Sequence, residues 1–335
     1  MINNMLASPP GYWQTLSFFL VGAAMLMVVL GFVTYAILAE RKVLGFMQLR
    51  HGPNRVGGRF GLLQTVADVL KLLIKEDTIP RDADRPLFII APVVAFAPAF
   101  IVIAALPLTE QVSFANIGVG LLYYIAISGI STIGILAGGW ASNNKYALLG
   151  SMRSAAQMIS YEIPLVMSVV GIVLLTGSLN LNTIIAEQES VAFLFKQPLA
   201  FLIFLIASVA ELNRTPFDLP EAESELVAGY HVEYSGFRFA FFMLAEYVYL
   251  FAMASLTTIL FLGGWQAIPF LTFIPGAVWF ALKFIFIVFV MIWIRGTFPR
   301  LRADQLMSFG WKILLPLALL NIFLTTIVIE IIRSF

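Results

Sequence analysis

The sequence predicts an all-α membrane protein with about eight transmembrane helices and one additional amphipathic interfacial helix. Of its 335 residues, 60% are hydrophobic and only 12% are charged, whereas a soluble domain is about 25% charged. This composition cannot cover a water-facing surface, which argues against a soluble monomer, a disordered chain or a nucleic-acid-binding protein. The net charge of +1 leaves the distribution of charge along the chain as the electrostatic signal.

Eight apolar runs approach the roughly 20 residues that a membrane helix needs. In chain order they are residues 16–38, 87–108, 118–140, 159–181, 199–211 with help from 191–195, 237–264, 274–294 and 311–332. The fifth run is interrupted by Lys196 and Pro198. The first run is too long for a cleaved signal peptide, and no basic region precedes it. We therefore expect a single polytopic membrane domain over residues 1–335.

The basic residues predict the orientation of the chain. With eight spans both termini share a side. All of the 20 Lys and Arg except Lys196, Lys283 and Arg333 fall in the four connections on the other side or within two residues of them. The positive-inside rule places those connections, about 39–86, 141–158, 212–236 and 295–310, in the cytoplasm and both termini outside. We expect a multi-pass protein of a bacterial-type cell membrane.

The long connection 39–86 contains a helix of a different kind. Between residues 60 and 75, apolar Leu62, Val66, Val69 and Leu73 recur at helical spacing, with Asp68 on the opposite face. About 16 residues are too few to cross a bilayer. The pattern predicts an amphipathic helix that lies in the membrane interface or against partner subunits.

The sequence lacks the residues that metal, haem and phosphate-binding sites usually require. Cysteine is absent and the two histidines, His51 and His231, are far apart, so no zinc–thiolate, iron–sulfur or haem site is expected in this chain. The glycines 57, 58 and 61 do not form a phosphate-binding loop, because no Lys-Ser/Thr pair follows them. We expect no metal and no cofactor bound by this chain.

Carboxylates lie where burial is costly. Glu162 is about one turn into the fourth run, Glu211 ends the fifth, and Glu246 is about 13 Å deep in the sixth at ~1.5 Å per residue. An acid at the membrane centre costs roughly 2.5–3.5 kcal/mol, and desolvation favours a carboxyl that can take up and release a proton. One interpretation is a proton path that includes Lys283 of the seventh run. The alternative is an inert interhelical pair of Glu246 with Lys283.

The connection after the fifth run is acidic on the otherwise basic side. Residues 218–234 hold Asp218, Glu221, Glu223, Glu225 and Glu233, interleaved with apolar residues. If 221–230 is a short helix, Glu221 and Glu225 share a face. A solvated loop and a structured functional loop both remain open as interpretations.

Arginines at span ends form a third feature, and anchoring of the topology explains most of them singly. These arginines are Arg41, Arg50, Arg55, Arg214, Arg295 and Arg300.

Long segments of the chain carry a family resemblance. They are LAERKVLGFMQLRHGPNRVG, GLLQTVADVLKLLIKED, GWASNNKYALLGSMRSAAQMISYE, AELNRTPFDLPEAESELVAGYHVEY, AEY at 245–247 and PRLRADQLMSFGWK. They resemble the family of subunits at the heel of the membrane arm in proton-pumping NADH–quinone oxidoreductases, the respiratory complex I enzymes. The resemblance runs from about residue 30 to 320.

The resemblance implies a role that spacing alone does not. It implies that the chain forms the membrane part of the quinone chamber and couples quinone reduction to proton translocation, as a subunit that is inactive alone. Quinone would be the substrate, while FMN and iron–sulfur clusters would reside in peripheral partner subunits, with antiporter-like subunits beside it in the membrane. The first span, the amphipathic helix and the sixth span would line the tunnel for the quinone tail.

The resemblance also implies residue roles. Arg41, Asp68, Arg214 and Arg295 match chamber or junction residues, and we place Arg50, Arg55 and Arg300 with them. The acids at 162, 211, 221, 223, 225 and 246 match the acidic path toward the antiporter-like subunits, whereas the third span has no acid to carry a relay. Three alternatives stay open: a membrane subunit of a related proton-pumping hydrogenase-type complex, a stand-alone secondary transporter, and a purely structural membrane anchor.

Overall fold

The computed structural model describes residues 12–110, 115–219, 227–267 and 273–334. All regular structure in these ranges is helical, with no strand among them. The helices are α1 Tyr12–Met47, α2 Gln64–Ile74, α3 Arg85–Ile101, α4 Gly120–Ser128, α5 Ile130–Ala141, α6 Lys145–Thr176, α7 Leu181–Ala186, α8 Phe193–Lys196, α9 Pro198–Glu211, α10 Gly236–Phe261, α11 Gly276–Thr297, α12 Ala303–Phe309 and α13 Leu315–Ser334. The predicted all-α class is confirmed.

Seven helical segments of the described chain are long and apolar enough to cross a membrane. They are Phe19–Met47, Arg85–Ala105, Gly120–Ala141, Lys145–Thr176, Gly236–Phe261, Gly276–Thr297 and Ala303–Ser334. The predicted fifth run forms the shorter helix α9, with 14 residues. At ~1.5 Å per residue this helix is about 21 Å long, less than the ~30 Å of a hydrocarbon core. The structure is that of a multi-span membrane protein in which one apolar helix is short.

Three predicted boundaries were wrong. Helix α6 begins at Lys145, so the connection 141–158 is mostly helix and Arg153 lies on it. Its start is capped by Asn144, whose side-chain oxygen accepts a hydrogen bond from the amide of Tyr146 at 2.9 Å. Helix α1 continues beyond the predicted end at residue 38 to Met47, and α2 is shorter than predicted because residues 60–63 form turns.

Helix α9 is fixed against α6 by a glutamine at each end. Gln197, just before α9, donates to the carbonyl of Gly171 at 3.0 Å. Gln157 donates to the carbonyl of Ala210, near the end of α9, at 2.8 Å. Because the two contacts occur in opposite chain order on α6, α9 runs antiparallel to it. Gln157 also donates to the carbonyl of Phe217 at 2.8 Å, and so ties the following loop to the same helix.

Helix α10 forms the centre of the bundle. Every residue from 250 to 261 is buried, as expected for a helix that is apolar on all sides. It packs on α1, α2, α3 and α11, and its Phe251 forms an edge contact with Phe32 of α1. By contrast, α13 exposes large apolar side chains such as Phe323 and Ile332. The central position of α10 brings its polar residues next to several other helices at once.

Candidate functional site

A buried ionic cluster joins three distant parts of the chain. The Glu40 carboxylate accepts hydrogen bonds from Arg214 at 2.7 Å and from Arg295. Glu40 is on α1, Arg214 follows α9, and Arg295 is in the last turn of α11. The side chains of Glu40 and Arg214 are only 6% and 3% exposed. Such a cluster is stable only because each buried charge has a partner.

Arg214 remains charged despite its burial. Burial alone would lower the pKa of Arg214, but the Glu40 carboxylate, followed by Tyr247 and Glu246, raises it above its ordinary value. The guanidinium carbon lies 4.7 Å from the centre of the Tyr247 ring, within cation–π distance. Its Nε and Nη2 atoms have no hydrogen-bond partner among the described residues. Arg214 therefore places a fixed, buried positive charge and two available donor groups beside α10.

Glu246 connects this cluster to a small internal cavity. The Tyr230 hydroxyl donates to Glu246 at 3.4 Å. A cavity of about 30 Å³ lies next to them and is also lined by Glu211, Ser131 and Tyr249. A water needs at least about 10–15 Å³ and two to four polar partners, so this cavity has the size and lining to hold one. Two of the sequence-predicted acids, Glu211 and Glu246, therefore line one small cavity.

Glu162, on α6, is a neighbour of Glu211. The two carboxyl groups interact electrostatically, and the Oε2 atom of Glu211 is buried without a hydrogen-bond partner in the described part of the chain. Glu162 points to the junction of α4 and α5, since a Cβ placed on Gly129 would lie 3.1 Å from Glu162 Oε1. Pairwise contacts and interactions therefore connect Glu40 and Arg214 to Glu246, Glu246 to Glu211, and Glu211 to Glu162.

The amphipathic helix is held against the end of α1. Arg41 and Asp68 form an ion pair of 2.6 Å with side-chain exposures of 47% and 34%, and Gln64 donates to Asp68 at 3.2 Å. Helix α2 contacts both α1 and α10, the elements expected to line a tunnel with it. Its residues Val66, Val69 and Leu73, from the apolar face that the sequence predicted, are exposed.

Other predicted residues lie apart from this site. Arg50 donates to neighbouring Gln48 at 2.8 Å, and Arg55 is exposed. Arg300 pairs with Asp218 at 3.2 Å, which joins the loop after α9 to the segment after α11. Glu221, Glu223 and Glu225 lie outside the described residues.

Lys283 is also separate from the acids. Its ammonium group donates to the carbonyls of Leu262, Gly264 and Gln266 at 2.6, 3.2 and 2.7 Å. These carbonyls follow the end of α10, where helix carbonyls lack intrahelical partners. Lys283 thus caps α10, and its hydrogen bonds go to backbone rather than to Glu246.

A second, wider cavity is not lined by the buried acids. It is an open groove of about 890 Å³ between α9, α11 and α12, lined mainly by apolar residues such as Ile206, Phe217, Ile294 and Phe309. Neither Glu40 nor any of the acids at 162, 211 and 246 lines this groove. Of these two cavities, only the small one is lined by the intramembrane acids Glu211 and Glu246.

Sequence reasoning missed Glu40 and two tyrosines. Glu40 directly precedes Arg41, and its position just after an apolar run resembles ordinary anchoring at a span end. Because α1 continues to Met47, Glu40 is instead inside a helix and faces the bundle. Tyr124 and Tyr249 interact electrostatically with Glu211, but tyrosines in apolar helices give no distinctive sequence pattern. Among the described residues, no group of three or more His, Asp or Glu could hold a metal.

The fold and this site define a polytopic all-α membrane protein with a buried series of acids and arginines. Comparison with known proteins specifies it further. Residues 20–326 match the family model described as NADH dehydrogenase. The NADH-quinone oxidoreductase H subunit of Anoxybacillus flavithermus is 73% identical over 328 residues, 98% of this chain and 98% of that protein. The H subunits of Geobacillus sp. strain WCH70 and Bacillus cytotoxicus are each 72% identical over 330 residues, 98% of this chain and 99% of theirs.

The chain belongs to this family and is a membrane subunit of an NADH–quinone oxidoreductase, the proton-translocating enzyme complex of respiratory chains. The resemblance found in the sequence is confirmed. The hydrogenase-type and stand-alone transporter alternatives are not favoured.

Proposed function

We propose that this subunit forms the membrane part of the quinone chamber and passes protons away from it along Glu246, Glu211 and Glu162. The observation that supports this most directly is that Glu211 and Glu246 line the same cavity of about 30 Å³. Since both side chains can hold a proton and a water fits between them, the cavity supports a step between the two acids.

We assign the buried ionic cluster of Glu40, Arg214 and Arg295 to the end of this path that faces the quinone chamber. Arg214 offers two donor groups that have no partner among the described residues, and it is fixed by Glu40. When quinone is reduced nearby, negative charge develops at its oxygens, and a buried arginine stabilises such charge. A change in charge there would act on Glu246, because Arg214 interacts electrostatically with that carboxyl.

The tail of the quinone is assigned to the surface that α1, α2 and α10 share. The Arg41–Asp68 pair holds α2 in place over this surface, and the exposed apolar face of α2 suits the bilayer interface. Arg50 and Arg55, exposed on the basic segment before α2, would contact the peripheral subunits. Arg300, with Asp218, would fix the loop that leads to the acids at 221, 223 and 225.

The remaining assignments concern partners and orientation. FMN and iron–sulfur clusters would belong to peripheral subunits, and the acidic path would lead to antiporter-like membrane subunits. The segment 39–86 would face the cytoplasm and both termini the outside, since nearly all basic residues lie on one side of the predicted spans. We assign Lys283 a structural role at the end of α10 and do not include it in the proposed proton path.

The test uses acid-to-amide variants in the whole complex. Glu211→Gln and Glu246→Gln keep the size of the side chain but cannot ionise, so we expect normal assembly and loss of most coupled quinone reduction. Glu211→Asp and Glu246→Asp keep the ionisable group and should retain more activity. Glu187→Gln, a change of an exposed acid, is the control. Both reactions, quinone reduction and proton uptake into inverted vesicles, are normalised to assembled complex. If both Gln variants pump like Glu187→Gln, the proton path is wrong.

A further inference from the structure

The wide groove between α9, α11 and α12 is separate from the ionic cluster and from the acids. Its volume of about 890 Å³ is near the upper end of the ~300–1,000 Å³ that small-molecule sites occupy. Most of its lining is apolar and comes from three helices, with Ile206 on α9, Ile294 on α11 and Phe309 on α12. Two further lining residues, Phe298 and Ile313, are 58% and 48% exposed. The groove therefore opens to the outside of the chain and suits an apolar occupant.

The groove lies at one boundary of the membrane-spanning bundle. Its residues come from the ends of α9 and α11 and from the segment that leads into α13. Helix α13 has 20 residues and is about 30 Å long at ~1.5 Å per residue, which matches the ~30 Å of a hydrocarbon core. The π-helical turn Gly310–Leu314 directly before it therefore falls where hydrocarbon meets lipid headgroups. In the predicted orientation this is the cytoplasmic boundary.

Within the described part of the chain, the groove has a positive charge without a counter-ion. Asp304 and Lys312 are the ionisable residues that line it. Asp304 is paired with Arg302 at 3.2 Å, whereas Lys312 is exposed and forms no ion pair with any described residue. The other polar lining residues, Gln305 and Ser308, belong to the same segment. The groove thus combines an apolar lining from α9 and α11 with a polar, positively charged side.

The segment that carries Lys312 is fixed by contacts outside the groove. The indole nitrogen of Trp311 donates to the Ser160 hydroxyl at 3.2 Å, and the Tyr161 hydroxyl donates to the carbonyl of Leu306 at 2.9 Å. Ser160 and Tyr161 belong to α6, and neither lines the groove. Single π-helical turns of this kind are frequent at functional sites. The shape of the groove and the position of Lys312 are therefore set before any ligand binds.

We propose that this groove binds an anionic glycerophospholipid, with an acyl chain along the apolar lining and the phosphate at Lys312. Basic pockets between membrane helices recur as sites for anionic headgroups. A helix of a partner subunit suits the groove less well, because it would bury the Lys312 charge and would need an acid opposite it. A phospholipid supplies hydrocarbon and a negative charge in one molecule. The proposal does not depend on the proton path.

A bound lipid would also support the ionic cluster from outside. Pro216 and Phe217, which line the groove, follow Arg214 in the loop after α9. The carbonyl of Pro216 accepts a hydrogen bond from the amide of Leu301 at 3.0 Å, and Leu301 lines the groove as well. The occupied groove would therefore restrain the loop that places Arg214 against Glu40.

The test is photocrosslinking in the whole complex. A photoreactive benzoyl-phenylalanine replaces Phe298, and the complex is placed in nanodiscs that contain equal amounts of phosphatidylglycerol and phosphatidylcholine with the same acyl chains. Only one of the two lipids carries an alkyne tag in each sample, so the bilayer is otherwise identical. We expect about fivefold more adduct on this chain from phosphatidylglycerol, which corresponds to the ~1 kcal/mol of one basic residue near an anionic membrane surface. Lys312→Gln should abolish this preference, and Lys312→Arg should keep it.

The matched control places the same photoreactive residue at Phe323. This side chain is on α13, is 69% exposed and does not line the groove. It should react with both lipids equally, and Lys312→Gln should not change that ratio. The control separates a specific headgroup site from general contact with the bilayer.

Each outcome decides the proposal. A phosphatidylglycerol preference at position 298 that Lys312→Gln removes, and that is absent at position 323, supports the lipid site. Equal reaction of both lipids at 298, or a preference that survives Lys312→Gln, would overturn it. An adduct with another subunit or with quinone at 298, or no adduct there while 323 reacts, would show that no lipid occupies the groove. If Lys312→Gln fails to assemble, Lys312 is a structural contact and its assignment to the phosphate is rejected.

Discussion

The sharpest structural prediction concerns Glu40, the carboxylate shared by two arginines. Glu40→Gln removes the negative charge but keeps the size of the side chain. Arg214, whose side chain is 3% exposed, would then be a buried charge without its counter-ion. Arg295 is 30% exposed and can turn part of its charge to water. The destabilisation should therefore arise mainly from Arg214.

The magnitude follows from the geometry of that pair. Unit charges about 4 Å apart interact by about 4 kcal/mol at an effective dielectric constant of ~20. Removing one partner of a buried ion pair costs about 3–5 kcal/mol. We expect Glu40→Gln to lower stability by about this amount, which is enough to reduce the cellular amount of complex severalfold or more.

Further variants of the same cluster should differ from Glu40→Gln in how much stability they lose. Arg214→Gln leaves Glu40 paired with Arg295, so its cost should be closer to the ~1.5–3 kcal/mol of one hydrogen bond to a charged group. The double variant Glu40→Gln with Arg214→Gln removes both buried charges and should recover part of the loss. Asp304→Asn is the control, because it breaks an ion pair with Arg302 that is largely exposed and worth at most about 1 kcal/mol.

The assay is the amount of assembled complex in membranes, followed by thermal inactivation of the purified complex. The expected order of stability is Asp304→Asn, then Arg214→Gln, then the double variant, with Glu40→Gln lowest. Parental stability of Glu40→Gln, or a double variant no more stable than Glu40→Gln, would refute the assignment of Glu40 as the buried counter-ion.

Three further predictions concern the rest of the chain. Lys283→Met should lower the thermal stability of the complex, because three carbonyls after α10 lose their hydrogen-bond donor. Turnover per assembled complex should equal that of the parent. Parental stability together with lost proton pumping would contradict this prediction. Arg41→Glu should destabilise the complex by about 1 kcal/mol or less, as expected for a half-exposed pair, and adding Asp68→Arg should restore it; no rescue in thermal inactivation would argue against a direct pair. The chain has no native cysteine, so single cysteines introduced at Arg50 and Arg333 can be labelled with a membrane-impermeant maleimide. We expect labelling from the outside only at position 333. Labelling only at position 50 would mean that the predicted topology is inverted.

The sequence alone was sufficient for the fold class and most of the helices. Apolar runs of span length require no tertiary information, because each residue contributes its hydrophobicity locally. Seven of the eight runs became helices of transmembrane length. The three intramembrane acids were also visible in the sequence, since a carboxylate in an apolar run is unusual wherever the chain folds.

Helix ends needed the structure. The start of α6 at Lys145 and the end of α1 at Met47 lie in polar sequence, where hydropathy no longer distinguishes helix from loop. Capping by Asn144 and packing of the polar turns against other helices decide these ends.

Only the tertiary structure decided which residues act together. Glu40, Arg214 and Arg295 are separated by up to 255 positions, and their charge alone does not say whether each is solvated or paired. Lys283 and Glu246 were possible partners in the sequence, but Lys283 turns to the end of α10 instead. Pairing depends on the direction and depth of each side chain within the bundle, which are set by helix packing. Composition therefore determined that this protein spans the membrane, whereas packing determined where its charges meet.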